Sequence, residues 1–204
     1  SLTDSISLTQ NDLIETFITD SICSGDIFSV GSVSYNTSGN YINTLLASNG
    51  CDSVVNLNLL VFDELYSGSI SDNQFLCFGD VPNVHFFDST PSGADGSFSY
   101  LWQYSTNNGL TFDNASGVNN DTIYFPNSLN ISTKFRVKIL SNFGCGIVYT
   151  NTIKDSVYND LTPAIISNDQ TICYNSQPNL ISISTFSTGG GSISNSSYTW
   201  EYSD

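Results

Sequence analysis

Apolar and polar residues alternate with a period of two over several short stretches of this 204-residue chain. Val54–Val61 (VVNLNLLV), Tyr100–Ser105 (YLWQYS) and Lys134–Leu140 (KFRVKIL) each place every second residue on one face, as a half-buried strand requires. In the last of these Phe135, Val137 and Ile139 form the inward set, and Lys134, Arg136 and Lys138 the outward set. The stretches between them (SGN, SNG, TNNG, SGADG, TGGG) are rich in residues that tolerate positive φ and read as turns. No segment reads as a helix, so the pattern predicts an all-β chain.

The pattern also repeats. SDNQFLCFGDVPN, beginning at Ser71, returns at Ser167 as SNDQTICYNSQPN, and YLWQYS at Tyr100 returns at Tyr198 as YTWEYS. The first pair is offset by 96 positions and the second by 98, which implies one module copied, with a two-residue loop insertion. The second copy stops midway at Asp204, so the chain is expected to be a piece of a longer one. Four segments follow: 1–10 as the last strand of a preceding module, 11–63 as a small disulfide-stapled β module, 64–158 as a larger sandwich, and 159–204 as its truncated copy. The connecting stretches VFDELYSG and VYNDLTPA are short and not glycine-rich, which predicts modules set end to end as a rod.

Composition narrows the choice of partners. Four basic residues stand against 19 acidic ones, a net charge of −15 with a pI near 4.1. Abundant Ser, Thr, Asn and Asp compete for backbone hydrogen bonds and disfavour helices. Phosphate recognition rests on clustered Lys and Arg, so this balance argues against nucleic acid and anionic membranes. No run of eighteen apolar residues is present, and direct membrane insertion is not expected.

The five cysteines fall into openings and closings. SICSGD, FLCFGD and TICYNS place Cys23, Cys77 and Cys173 after an apolar residue and before a turn cluster; SNGCDS and NFGCGI place Cys51 and Cys145 after a Gly. This pairs Cys23 with Cys51 and Cys77 with Cys145, and leaves Cys173 for a partner beyond Asp204. Zinc is disfavoured because no two cysteines lie two to four apart and His85 is the one histidine. Oxidised pairs imply an extracellular location. Cys77, Trp102 and Cys145 follow the cysteine, tryptophan, cysteine order of an immunoglobulin-like sandwich, with Trp102 as core against the disulfide. The alternative is that Tyr100, Trp102 and Tyr104 form an exposed platform for stacking sugars.

Ile22–Val61 (ICSGDIFSVGSVSYNTSGNYINTLLASNGCDSVVNLNLLV) resembles a module repeated many times in giant secreted proteins of Bacteroidetes. Tyr100–Cys145 (YLWQYSTNNGLTFDNASGVNNDTIYFPNSLNISTKFRVKILSNFGC) is similar to the immunoglobulin-like or PKD-like modules of the same proteins, including SprB-type gliding-motility adhesins. The resemblance implies type IX secretion, display at the cell surface, and a role in cell adhesion or gliding motility. It also implies O-glycosylation, because Asp-Ser/Thr-apolar motifs like the acceptor of exported Bacteroidetes proteins recur here. The implied glycoprotein sites are Ser5, Ser21, Ser53, Thr122 and Ser156.

The remaining residues offer little catalytic chemistry. His85 lies in a strand-like stretch with no Gly-x-Ser-x-Gly elbow, and no catalytic residue is expected. Ser105, Asn107, Gly109, Thr111 and Phe112 resemble an Asp-box, which is a hairpin rather than a reactive site. Asp88, Asp95, Asp113 and Asp121 are the candidates for calcium, but no Asp-x-Asp-x-Asp loop accompanies them, and the expected cofactor set is none. Lys134, Arg136 and Lys138 read as an outward strand face, with contact to an acidic glycan or a neighbouring module as the functional alternative. The expectation is a non-enzymatic, disulfide-stapled stalk segment of a large surface adhesin or filament. Its partners would be neighbouring modules of the same chain, surface glycans or other surface proteins. A glycan- or calcium-binding module, or the accessory stalk of a secreted polysaccharide-degrading enzyme, is the alternative.

Overall fold

The computed structural model describes residues 4, 6–8, 10, 12–46, 51–167, 169–191 and 197–203. The chain is all-β, with no helix among the described residues. In chain order the strands are β1 (Ile14–Ile22), β2 (Phe28–Val30), β3 (Val33–Tyr35), β4 (Gly39–Leu46), β5 (Asp52–Val61), β6 (Asp63–Tyr66), β7 (Ser69–Ile70), β8 (Gln74–Cys77) and β9 (His85–Ser89). They continue with β10 (Ser92–Ala94), β11 (Phe98–Ser105), β12 (Asp113–Asn114), β13 (Ile123–Tyr124), β14 (Thr133–Ser141), β15 (Ile147–Tyr149), β16 (Ile153–Tyr158), β17 (Ile165–Ile166) and β18 (Ile183–Thr185). Residues 1–10, read as the last strand of a preceding module, contain no strand among their described residues.

Two compact units are formed, and they do not follow the sequence boundary near residue 63. The first comprises 1–67 with 91–99 and 140–148; the second comprises 68–90, 100–139 and 149–204. In the first unit a three-stranded sheet runs β1-β5-β4, with β1 parallel and β4 antiparallel to β5. Strand β5 behaves as its alternation dictates: Val55, Leu57 and Leu59 are buried, whereas Asn58 and Leu60 face out. With Val30 they make the core, onto which Ile18, Phe28, Tyr35, Tyr41 and Leu45 pack. Strand β10 pairs with β6 through an irregularity between Ser92 and Ala94. Gly93 occupies it at φ 83°, where a Cβ would lie 1.8 Å from the Glu64 carbonyl oxygen, so only glycine fits.

The second unit contains a sandwich of two sheets and, after it in the chain, the two-stranded pair β17-β18. One sheet of the sandwich has the order β12-β11-β14-β16-β8, with β15 also on β14, and the other has the order β13-β9-β7. The tryptophan on the third main strand, central adjacent strands β11, β14 and β16, and an opposing sheet built on β9 match the immunoglobulin-type plan. Trp102 is fully buried between the sheets, stacked on Tyr124 at 5.6 Å and near Phe87 at 6.3 Å, and its indole N–H donates to the Asp121 carbonyl at 2.9 Å. The exposed-platform alternative therefore does not hold for Trp102. On β14 Phe135, Val137 and Ile139 point into this core and the three basic residues point away.

The repeat is visible in hydrogen bonds as well as letters. The Gln74 side chain receives the Asn83 N–H at 2.7 Å and donates to the Asn83 carbonyl at 3.1 Å; Gln170 does the same with Asn179, at the same two distances. Trp200, the counterpart of Trp102, is 57% exposed.

The cysteine pairing differs from the sequence expectation. Cys23 is bonded to Cys145, with Cα atoms 5.3 Å apart and a sequence separation of 122, so neither Cys23–Cys51 nor Cys77–Cys145 forms. The register explains the first correction. Because β1 and β5 are parallel, Ile22 lies opposite Val61, which puts Cys23 at the far end of β5 from Cys51. Ten residues of strand separate Cys51 from Val61, roughly 33 Å, whereas a disulfide needs Cα atoms within about 7 Å. The second correction has the same cause. Cys77 pairs in parallel with Tyr158, beyond Asp155, which faces Thr133 at the start of β14; Cys145 follows the end of β14. Cys77 and Cys173 are exposed thiols. The Cys23–Cys145 bond is flanked by the edge-to-face pair Phe62–Phe143, with centroids 4.8 Å apart.

Candidate functional site

Strand alternation places Lys134, Arg136 and Lys138 on one face of β14, and antiparallel pairing sets Lys154 of β16 directly opposite Lys134. These four are all the basic residues of the chain, and all lie on one sheet. No carboxylate stands within ion-pair distance of any of them among the described residues; the ion pair that does form is His85–Asp155. A protein with 19 acidic residues has thus concentrated its positive charge where its own acids do not neutralise it.

The turn between β11 and β12 builds one wall of this site. Ser105 Oγ donates to Asn107 Oδ1 at 2.8 Å and accepts the Gly109 N–H at 2.9 Å, while Asn107 Oδ1 also accepts the Thr111 N–H at 3.0 Å. These bonds fix the Asp-box-like residues as a hairpin turn, and Asn108 takes a left-handed φ of 62° at its tip. Phe112, at the base of the turn, lies 3.9 Å from the Arg136 guanidinium carbon, and Tyr149 lies 4.1 Å from it on the β15 side. Arg136 Nε donates to Gln103 Oε1 at 2.9 Å. Aromatic contact of this kind contributes about 0.5–1 kcal/mol at exposed sites and, with the Gln103 bond, holds the guanidinium in place. Lys134 Nζ donates to the Asn108 carbonyl at 3.1 Å. Between the two lysines opens a concavity of about 380 Å³ lined by Ser105, Thr106, Asn108, Ser132, Lys134 and Lys154.

The other residues singled out by sequence are dispersed. Asp88 is on β9 and Asp113 on β12; the Asp121 carbonyl serves Trp102, and Asp95 accepts from Ser141 Oγ at 2.7 Å. That hydroxyl, with nearby backbone N–H groups, holds the Asp95 carboxyl below its ordinary pKa. Among the described residues no group of three or more His, Cys, Asp or Glu stands together as metal ligands. Of the implied glycosylation sites, Ser5 lies outside the described residues. Ser21 and Ser53 are half-buried on β1 and β5, Ser156 is half-buried on β16, and Thr122 is exposed, with Asp121 Oδ1 accepting its N–H at 2.6 Å.

His85 and Asp155 form a pair that sequence reasoning missed. His85 is 1% exposed and Asp155 0%; His85 Nε2 donates to Asp155 Oδ2 at 3.1 Å, and Gln74 lies 3.4 Å from Nδ1. The imidazole sits 4.9 Å from Phe135 and 6.1 Å from Trp102, so the pair packs beside the tryptophan. The available signal was Asp155 at an inward position of β16, between Ile153 and Val157.

Comparison with known proteins gives a family match over part of the chain and a weak structural likeness. Residues 66–159 match a family described as a domain of unknown function (DUF8696); the match starts at the last residue of β6 and ends just after β16. No curated protein matches the chain. A solved structure, Drosophila OTK extracellular domains 3-5, is 13% identical with a TM-score of 0.38, covering 64% of this chain. The chain spans 46% of that structure's length.

Proposed function

We propose that the chain is a non-enzymatic stalk segment of a large exported surface protein, in which β modules stapled by a disulfide act as spacers. The observation that carries this reading is the Cys23–Cys145 bond across 122 residues, since such bonds persist in oxidising compartments and are rare in reducing ones. The acidic, lysine-poor composition and the sequence resemblance to Bacteroidetes surface adhesins support it. So does the one histidine, which is committed to the core rather than to a cleft. Adhesion or gliding motility, export by the type IX route, and sugars at Ser21, Ser53 and Thr122 belong to the same proposal. The mechanism is mechanical: load passes along the strands, and the disulfide caps how far the chain can lengthen. Protease shaving of intact cells tests the location. Release of peptides from this segment without lysis is expected, whereas peptides appearing only after lysis would end the reading.

A further inference from the structure

The geometry points to an anionic-sugar site in the concavity between Lys134 and Lys154, which takes a pyranose bearing a carboxylate or sulfate group. This goes beyond the stalk reading and does not depend on it. Two lysines directly opposite each other across antiparallel strands repel, and among the described residues no carboxylate stands close enough to neutralise either. An anion seated between them relieves that repulsion and gains two charge-assisted hydrogen bonds.

The rest of the lining selects the ligand. Ser105, Thr106, Asn108 and Ser132 supply hydroxyl and amide groups, and the side chains of Thr106 and Asn108 make no hydrogen bond to another described residue. Such a set matches ring hydroxyls. A concavity of about 380 Å³ lies in the range of small-molecule sites. Arg136 lies on the same strand face beside Lys134, immobilised by Phe112, Tyr149 and Gln103, and can meet a second anionic group. A net charge of −15 would repel a long polyanion, which favours a short anionic segment over nucleic acid.

Calorimetric titration of the 204-residue chain with trigalacturonate, its methyl ester and a sulfated galactose disaccharide tests the site and distinguishes the two anions. Binding of the carboxylate or the sulfate sugar is expected to weaken as salt rises and to be at least tenfold weaker for the ester. K134Q/K154Q should lose at least tenfold in affinity while near-UV circular dichroism of the Trp102 core stays unchanged. K138Q, outside the concavity, should lose less than twofold. The proposal is overturned if neither charged sugar binds at millimolar concentration, if K138Q is as damaging as K134Q/K154Q, or if ester and acid bind alike. Sedimentation showing self-association that K134Q/K154Q abolishes, with no sugar binding, would also overturn it and assign the face to the acidic surface of a second copy.

Discussion

Replacing Cys23 and Cys145 together by serine, or reducing their bond, frees a loop whose ends are 122 residues apart. In the chain-entropy treatment, closing a loop of that size removes about 16 cal/mol/K from the unfolded ensemble, or about 5 kcal/mol at 25 °C. A whole domain is stable by about 5–15 kcal/mol, so the bond supplies a large fraction of what holds the chain folded. Urea denaturation should show a loss approaching this figure for C23S/C145S and almost none for C77S. Pulling the chain from its two ends gives a second reading of the same bond. Oxidised, the enclosed residues cannot extend; reduced, they add about 440 Å of contour length at roughly 3.6 Å per residue. If C77S cost as much as C23S/C145S, or if reduction left the contour length unchanged, the pairing and the mechanical argument built on it would both be wrong.

Three further outcomes are expected. Asp155→Ala leaves His85 buried without its partner and should cost about 3–5 kcal/mol, whereas changing both residues to leucine should restore most of it; a double-mutant cycle with no coupling would contradict the pair. Gly93→Ala should destabilise by about 1–3 kcal/mol because its Cβ meets the Glu64 carbonyl, while Gly96→Ala, also at positive φ but with open space, should cost less in thermal melts. Asp95 has its folded pKa lowered, so its contribution is complete above the ordinary carboxylate range and is lost as pH falls through the folded value; Ser141→Ala should remove this part of the acid limb in pH-dependent unfolding.

Local pattern carried the strands. Alternation in KFRVKIL identified both the core residues Phe135, Val137 and Ile139 and the basic outward row, because side-chain facing within one strand depends only on its own sequence. Pairing across strands is a different matter. That β1 runs parallel to β5 is a non-local fact, and a reading by openings and closings had no access to it, so the disulfide partners came out wrong. The same limit hid Lys154, whose place opposite Lys134 follows from the β14–β16 register, and hid the meeting of His85 with Asp155 across 70 residues. Asp155 also has a role that its short motif does not reveal. Read in Asp-Ser-Val as a glycosylation signal, it is a fully buried carboxylate that serves the core.

The central claim is that this segment lives folded and oxidised outside the cell. Peptide mapping of the protein taken from its own cells, alkylated before lysis and never reduced, tests this most directly. The account predicts a cross-linked peptide pair containing Cys23 and Cys145, with Cys77 carrying the alkyl label. Alkylated Cys23 and Cys145 in native material would contradict it.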